Sequence, residues 1–199
     1  MAPRRFIPPV VGALVLASLF APAASAAESA GSSGSAGSSS TGSTDRAPRA
    51  AATCEINPSD RAATINALRF NCSGEEAAAV FQAAAPGAVP SGVKDGWVTR
   101  TSVVSDLSSA LWAGKTFHTG VDGGYLLNRT VIGDQWLADV YVAPSRIDGK
   151  PAWALDYHAS PTPSIYDEIR EVVPGVWFGY SMVRRPGSSN TILLSFVLA

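Results

Sequence analysis

The chain has 199 residues, with 15 Lys and Arg against 16 Asp and Glu, 46% apolar residues and two cysteines. A net charge of −1 without clustered cations excludes a nucleic-acid binder and a polybasic membrane binder. Five Trp, five Tyr and only 16% charged residues exclude disorder along the whole length, and the size allows one domain with an appendage.

In chain order, Met1 to Ala26 has the three parts of a secretory signal. Arg4 and Arg5 form the charged region, Val10 to Ala21 the apolar region, and Ala24-Ser25-Ala26 a small-residue cleavage site. The apolar run is shorter than the ~20 residues that span a bilayer, so no stable membrane insertion is expected after cleavage. Phe6-Ile7-Pro8-Pro9 after the arginines favours general secretion over a twin-arginine route. Cleavage would leave 13 bases against 16 acids, a net of −3. Residues 27–52 contain no aromatic side chain and no aliphatic one larger than Ala. They bury too little to offset ordering entropy and read as a flexible Ser/Gly/Ala-rich tether. The sequence therefore predicts an extracellular protein with a single α+β domain over residues 53–199, a helical lead-in (53–111) and a β-barrel (112–199).

Cys54 and Cys72 are the only cysteines. An even pair in a secreted chain implies a disulfide. Neither has an adjacent His or a C-x-x-C partner, which argues against a catalytic thiol or a zinc site.

Ser73-Gly74-Glu75-Glu76 has the form of a capping box, so a helix should start there, with Ala77, Val80, Phe81 and Ala84 on one face. Pro86-Gly87 stops it. A shorter helix is predicted over Asp106–Leu111, capped by Ser105. From Trp112 the chain reads as short strands: Lys115–Thr119, Tyr125–Val131, Trp136–Val142, Ala152–His158, Ile165–Val172, Val176–Arg184 and Ile192–Leu198. Gly-rich and Asp-Gly turns separate them at hairpin spacing, which predicts a mainly β fold, a small antiparallel barrel or sandwich. Ile165–Val172 also fits a helix; the Pro174-Gly175 turn favours a strand.

Several chemistries fail on the residues. Gly114-Lys115-Thr116 resembles the end of a phosphate loop, but position 109 is Ser and the intervening residues are bulky. Gly179-Tyr180-Ser181-Met182-Val183 lacks the second glycine of a nucleophile elbow. Asp156, His158 and Ser160 sit too close in sequence to assemble a triad from separate elements. His118, His158 and Asp156 are not clustered at metal-ligand spacings, so neither metal nor other cofactor is expected.

The most heavily charged stretch is Asp156-Tyr157-His158 followed by Tyr166 to Glu171. On adjacent strands some of these charges must face inward, and Arg170 and Arg129 would then need Asp156, Asp167 or Glu168 as partners. Two readings stay open: a polar cluster that orients a ligand inside a barrel, or an ion-paired cluster on a solvated face.

Trp112 to Phe117, Leu127-Asn128-Arg129, Asp148 to Pro151, Leu155-Asp156-Tyr157, Asp167 to Val172, Gly175 to Gly179 and Phe196-Val197-Leu198 occur in that order. With them, residues 112–199 resemble uncharacterised bacterial calycin/lipocalin-like barrels, loosely related to GXWXG-type domains of unknown function. The resemblance implies an antiparallel barrel with an internal pocket and no established reaction. It maps polar positions onto Lys115, Asn128, Arg129, Asp156, Asp167 and Arg170. Aromatics such as Trp136, Tyr141, Trp153, Tyr157, Trp177 and Tyr180 would supply wall and mouth. The leading expectation is a secreted barrel that binds a small hydrophobic molecule, with Tyr157 and Trp177 joining those polar residues. One alternative is an enzyme in the same cavity, with Asp156, His158 or Glu168 as acid/base and Arg170 as charge stabiliser. Another is a cell-surface interaction module.

Overall fold

Eight antiparallel strands close a barrel in simple chain order. They are β1 (Gly92–Thr101), β2 (Trp112–Gly120), β3 (Gly123–Thr130), β4 (Gly133–Pro144), β5 (Pro151–Asp156), β6 (Ile165–Val173), β7 (Val176–Val183) and β8 (Thr191–Leu198). Pairing of β1 with β8, Trp97 opposite Val197, shuts the sheet and removes its free edges. The computed structural model describes residues 53–101, 111–185 and 190–199. The expected signal, the tether and nearly all of the Asp106–Leu111 helix lie outside those residues. Every strand expected from Lys115 onward is present, and Ile165–Val173 is a strand. β1 was not anticipated, since it lies within the expected helical lead-in; its two glycines and the adjacent Lys94-Asp95 weaken the strand signal.

Two short helices precede the barrel. In α1 (Arg61–Asn66) the Asp60 carboxylate accepts from Ala63 N at 2.9 Å as N-cap. The helix then widens into π-type turns over Ala67–Asn71. In α2 (Gly74–Ala83) the capping box forms as expected, with Glu76 N donating to Ser73 Oγ at 3.1 Å and Ser73 N to Glu76 Oε2 at 2.7 Å. The Cys54–Cys72 disulfide ties the start of this segment to the turn before α2. Its 18-residue separation is worth about 3 kcal/mol in the chain-entropy account.

The helices split the hydrophobic core in two. Ala67, Leu68, Ala77 and Phe81 pack on the outer wall against Tyr166, Phe178, Tyr180 and Met182. The barrel interior holds Phe117, Leu126, Ala138, Val140, Trp153, Leu155, Ile169, Trp177, Phe196 and Leu198. β6 and β7 are consequently buried on both faces, whereas β3 and β4 keep an exposed outer face.

One end of the barrel is sealed by the chain between α2 and β1. The indole N–H groups of Trp153 and Trp177 donate to Gly87 O and Ala88 O at 3.3 and 2.9 Å, and Ala88 N donates to the Glu171 carboxylate at 2.7 Å. Gly87 has φ 67°, and a Cβ there would fall 2.3 Å from Glu171 Cβ, so the plug requires glycine. Val89 packs against the interior cluster from this side.

Candidate functional site

The opposite end of the interior is polar. Lys115 on β2, Asn128 on β3, Tyr157 just after β5 and Asp167 on β6 point inward from four different segments and are 2%, 5%, 3% and 4% exposed. The pleat places them there: Lys115 and Phe117 alternate inward on β2, as do Leu126 and Asn128 on β3 and Asp167 and Ile169 on β6.

Lys115 Nζ donates to Asn128 Oδ1 at 2.8 Å, Tyr157 OH at 2.6 Å and Asp167 Oδ2 at 3.0 Å, which uses all three of its protons. Tyr157 OH donates to Asp167 Oδ2 at 3.0 Å and accepts from Asn128 Nδ2 at 3.0 Å. Trp112 Nε1 donates to Asn128 Oδ1 at 3.0 Å, and the second Asn128 Nδ2 proton reaches Trp136 O at 3.1 Å. Rings of Trp112, Tyr157 and Phe196 lie 5.3–5.4 Å from Nζ and face its charge. Room for the Trp112 indole comes from Gly96 on β1, where a Cβ would sit 2.4 Å from the ring. Among the described residues, Asp167 Oδ1 is the one buried side-chain oxygen or nitrogen without a hydrogen-bond partner.

Burial pushes the Lys115 ammonium below its ordinary pKa, and Asp167 opposes that shift. The Tyr157 hydroxyl is pushed well above its usual range, first by burial and then by the Asp167 charge. At neutral pH the phenol stays protonated.

Trp136 carries the local strain. It is the extra residue in a β3–β4 irregularity, between the pairs Leu127–Leu137 and Asn128–Gln135, and has φ 47°. A bulky side chain in the left-handed region costs of order 1–3 kcal/mol. That backbone turns the Trp136 carbonyl onto Asn128, while its side chain stays 42% exposed.

Four of the expected polar residues thus meet, and the other expected residues serve elsewhere. Arg170 was expected to pair with Asp156, Asp167 or Glu168; instead it lies on the outer face of β6 beneath α2 and pairs with Asp148 at 2.7 Å. Glu168, also on that face, accepts from Ser145 Oγ and Arg146 N. Arg129 pairs with Asp95 at 2.8 Å rather than with Asp156, Asp167 or Glu168. Asp156 is gripped by Arg184 at 2.7 and 2.8 Å and by Tyr141 OH at 3.0 Å; the Arg184 and Tyr141 hydrogen bonds and the His158 N–H outweigh its burial, and its pKa is lowered. In each case the partner was a residue that strand register or a loop delivered, invisible to sequence spacing. Trp177 is in the interior near the sealed end, Trp136 and Tyr141 are on the outer surface, and Tyr180 lies beneath α2. His118 stacks on Tyr125 at 4.7 Å and His158 lies 3.5 Å from Asp139. No group of metal-ligating side chains able to hold an ion occurs among the described residues.

No protein-family model matches the chain, and no curated protein matches it. Among solved structures it is similar to the crystal structure of a protein from Thermomonospora curvata, at 20% identity and a TM-score of 0.45, with 64% of this chain and 87% of that one covered. The chain is defined by its own topology as a closed eight-stranded antiparallel barrel, and no helix among the described residues is long and apolar enough to cross a membrane.

Proposed function

We propose that this is a secreted, calycin-like barrel that binds a small, mostly apolar molecule at the end of the barrel holding Lys115, Asn128, Tyr157 and Asp167. In this reading residues 1–26 are removed as a signal, 27–52 form a tether, and 53–199 form the binding domain. The observation that carries it is the buried Lys115–Asp167 pair, 3.0 Å apart, with one carboxylate oxygen unpartnered among the described residues. A buried ion pair stabilises a fold poorly compared with apolar packing, and a half-satisfied polar network is costlier still. Retaining one at the end away from the Gly87–Val89 plug fits a recognition role better than a packing role. The disulfide fits an oxidising compartment. Arg129, Asp156, Arg170 and Trp177 then hold the frame rather than the ligand.

The same network supports a second reading, an enzyme, because the Lys115 ammonium, the Tyr157 phenol 2.6 Å from it and the Asp167 carboxylate 3.0 Å further on form a chain along which a proton can be relayed. The two separate on Lys115→Met: a binder loses affinity, whereas an enzyme keeps bound substrate and loses turnover.

Native mass spectrometry of the protein purified from its host's culture medium tests the first reading. A co-purified small molecule released on denaturation, on a chain lacking residues 1–26, is the expected result. A bare mass that no apolar probe shifts overturns the binding reading, and retention of Met1 to Ala26 overturns the secretion reading.

A further inference from the structure

Resting on that binding reading, we infer that the ligand presents a neutral hydrogen-bond donor, an alcohol or phenol hydroxyl, to Asp167 Oδ1. The network decides the polarity. Every proton of Lys115 and of the Asn128 amide is committed, and so is the Tyr157 hydroxyl proton. The free valence is therefore an acceptor on a buried carboxylate. A ligand carboxylate placed there would meet Asp167 with like charge and find no uncommitted donor on Lys115, Asn128 or Tyr157. A ligand ammonium would lie beside Lys115, whose Nζ is 3.0 Å from the same carboxylate and already balances it. An ether or hydrocarbon offers that oxygen no donor. Of these ligand groups, only a neutral donor completes the network without adding a buried charge.

Ser181 supports the same chemistry. It stands directly opposite Asp167 in the β6–β7 register and is 8% exposed. Directly paired side chains share one face of a sheet. A hydroxyl that donates to Asp167 can thus accept from a neighbouring serine, a pairing that suits an alcohol and not a hydrocarbon.

The test uses three probes of one shape: 4-hexylphenol, its methyl ether 4-hexylanisole, and 4-hexylbenzoate, titrated into the full mature chain by calorimetry. The phenol is expected to bind about tenfold to a hundredfold tighter than the ether, the ratio for a hydrogen bond to a charged acceptor. The benzoate should bind more weakly than the phenol. Asp167→Asn should shrink the phenol's advantage over the ether to less than about threefold and should improve the benzoate, since the amide supplies a donor. Near-universal loss of near-UV dichroism in Asp167→Asn would leave the wild-type ranking to decide alone. Ether or benzoate binding as tightly as the phenol to the wild-type chain overturns this inference and leaves the binding reading standing. Absence of binding by all three probes overturns the binding reading and the inference together.

Discussion

Strand β6 carries a buried ion pair on each face, and the two are finished differently. On the outer face Arg170 is completely satisfied: its five N–H groups reach Pro151 O, Phe81 O, both oxygens of Asp148 and Lys150 O at 2.7–3.0 Å. It joins the end of α2, the β4–β5 loop and β6, with the Phe81 ring 4.3 Å from its guanidinium carbon. On the inner face Lys115 is equally saturated, yet its partner Asp167 keeps one oxygen unpaired among the described residues. A closed network fastens segments together; an open one leaves chemistry for something else to complete. That contrast separates a structural cluster from a candidate binding cluster within one strand.

The comparison can be broken most forcefully at Arg170. Arg170→Met should lower unfolding free energy by about 3–5 kcal/mol, because Asp148 loses its partner and three backbone carbonyls, those of Phe81, Lys150 and Pro151, lose their donor. Urea denaturation measures this; a loss below ~1 kcal/mol would show that the outer cluster behaves as a solvated surface pair.

The inner pair should respond differently to complete replacement. Lys115→Met alone strands the buried Asp167 and should cost several kcal/mol, of order 3–5. The double variant Lys115→Met/Asp167→Leu removes both charges and should recover much of that loss, while abolishing probe binding. A double variant no more stable than the single one would mean that the pair is part of the fold's packing rather than a retained recognition device.

The smallest effect is the pH dependence of the outer pair. Hydrogen bonds from Arg170 hold the Asp148 carboxyl down at about 2, against an ordinary 3.8. Its contribution is complete above the ordinary value and is lost as pH falls through the depressed one, so stability should decline between about pH 4 and pH 2. Asp156, also lowered, adds to the same limb. Asp148→Asn should flatten part of that decline; identical acid limbs in the two chains would show that Asp148 is not depressed.

The sequence by itself determined the local elements. Turn residues at hairpin spacing marked seven strands, Ser73 and Glu76 marked the start of α2, and two cysteines in one chain marked the bridge. These depend on contacts within a few residues or on residue type alone. The polar residues that meet inside the barrel were also named, as Lys115, Asn128, Tyr157 and Asp167, but within a larger set that included Arg129, Asp156, Arg170 and Trp177. Only the tertiary structure could divide that set. Alternation gives two faces to a strand, and on β5 to β7 both faces are buried, so hydrophobicity does not say which is the interior. The covering of the outer face by α2 made that choice, placing Asp167 inside and Arg170 outside on strand neighbours three residues apart. Closure by β1, the plug at Gly87 and the strained carbonyl of Trp136 were likewise fixed by register and by chain brought from far away in sequence, which no local pattern encodes.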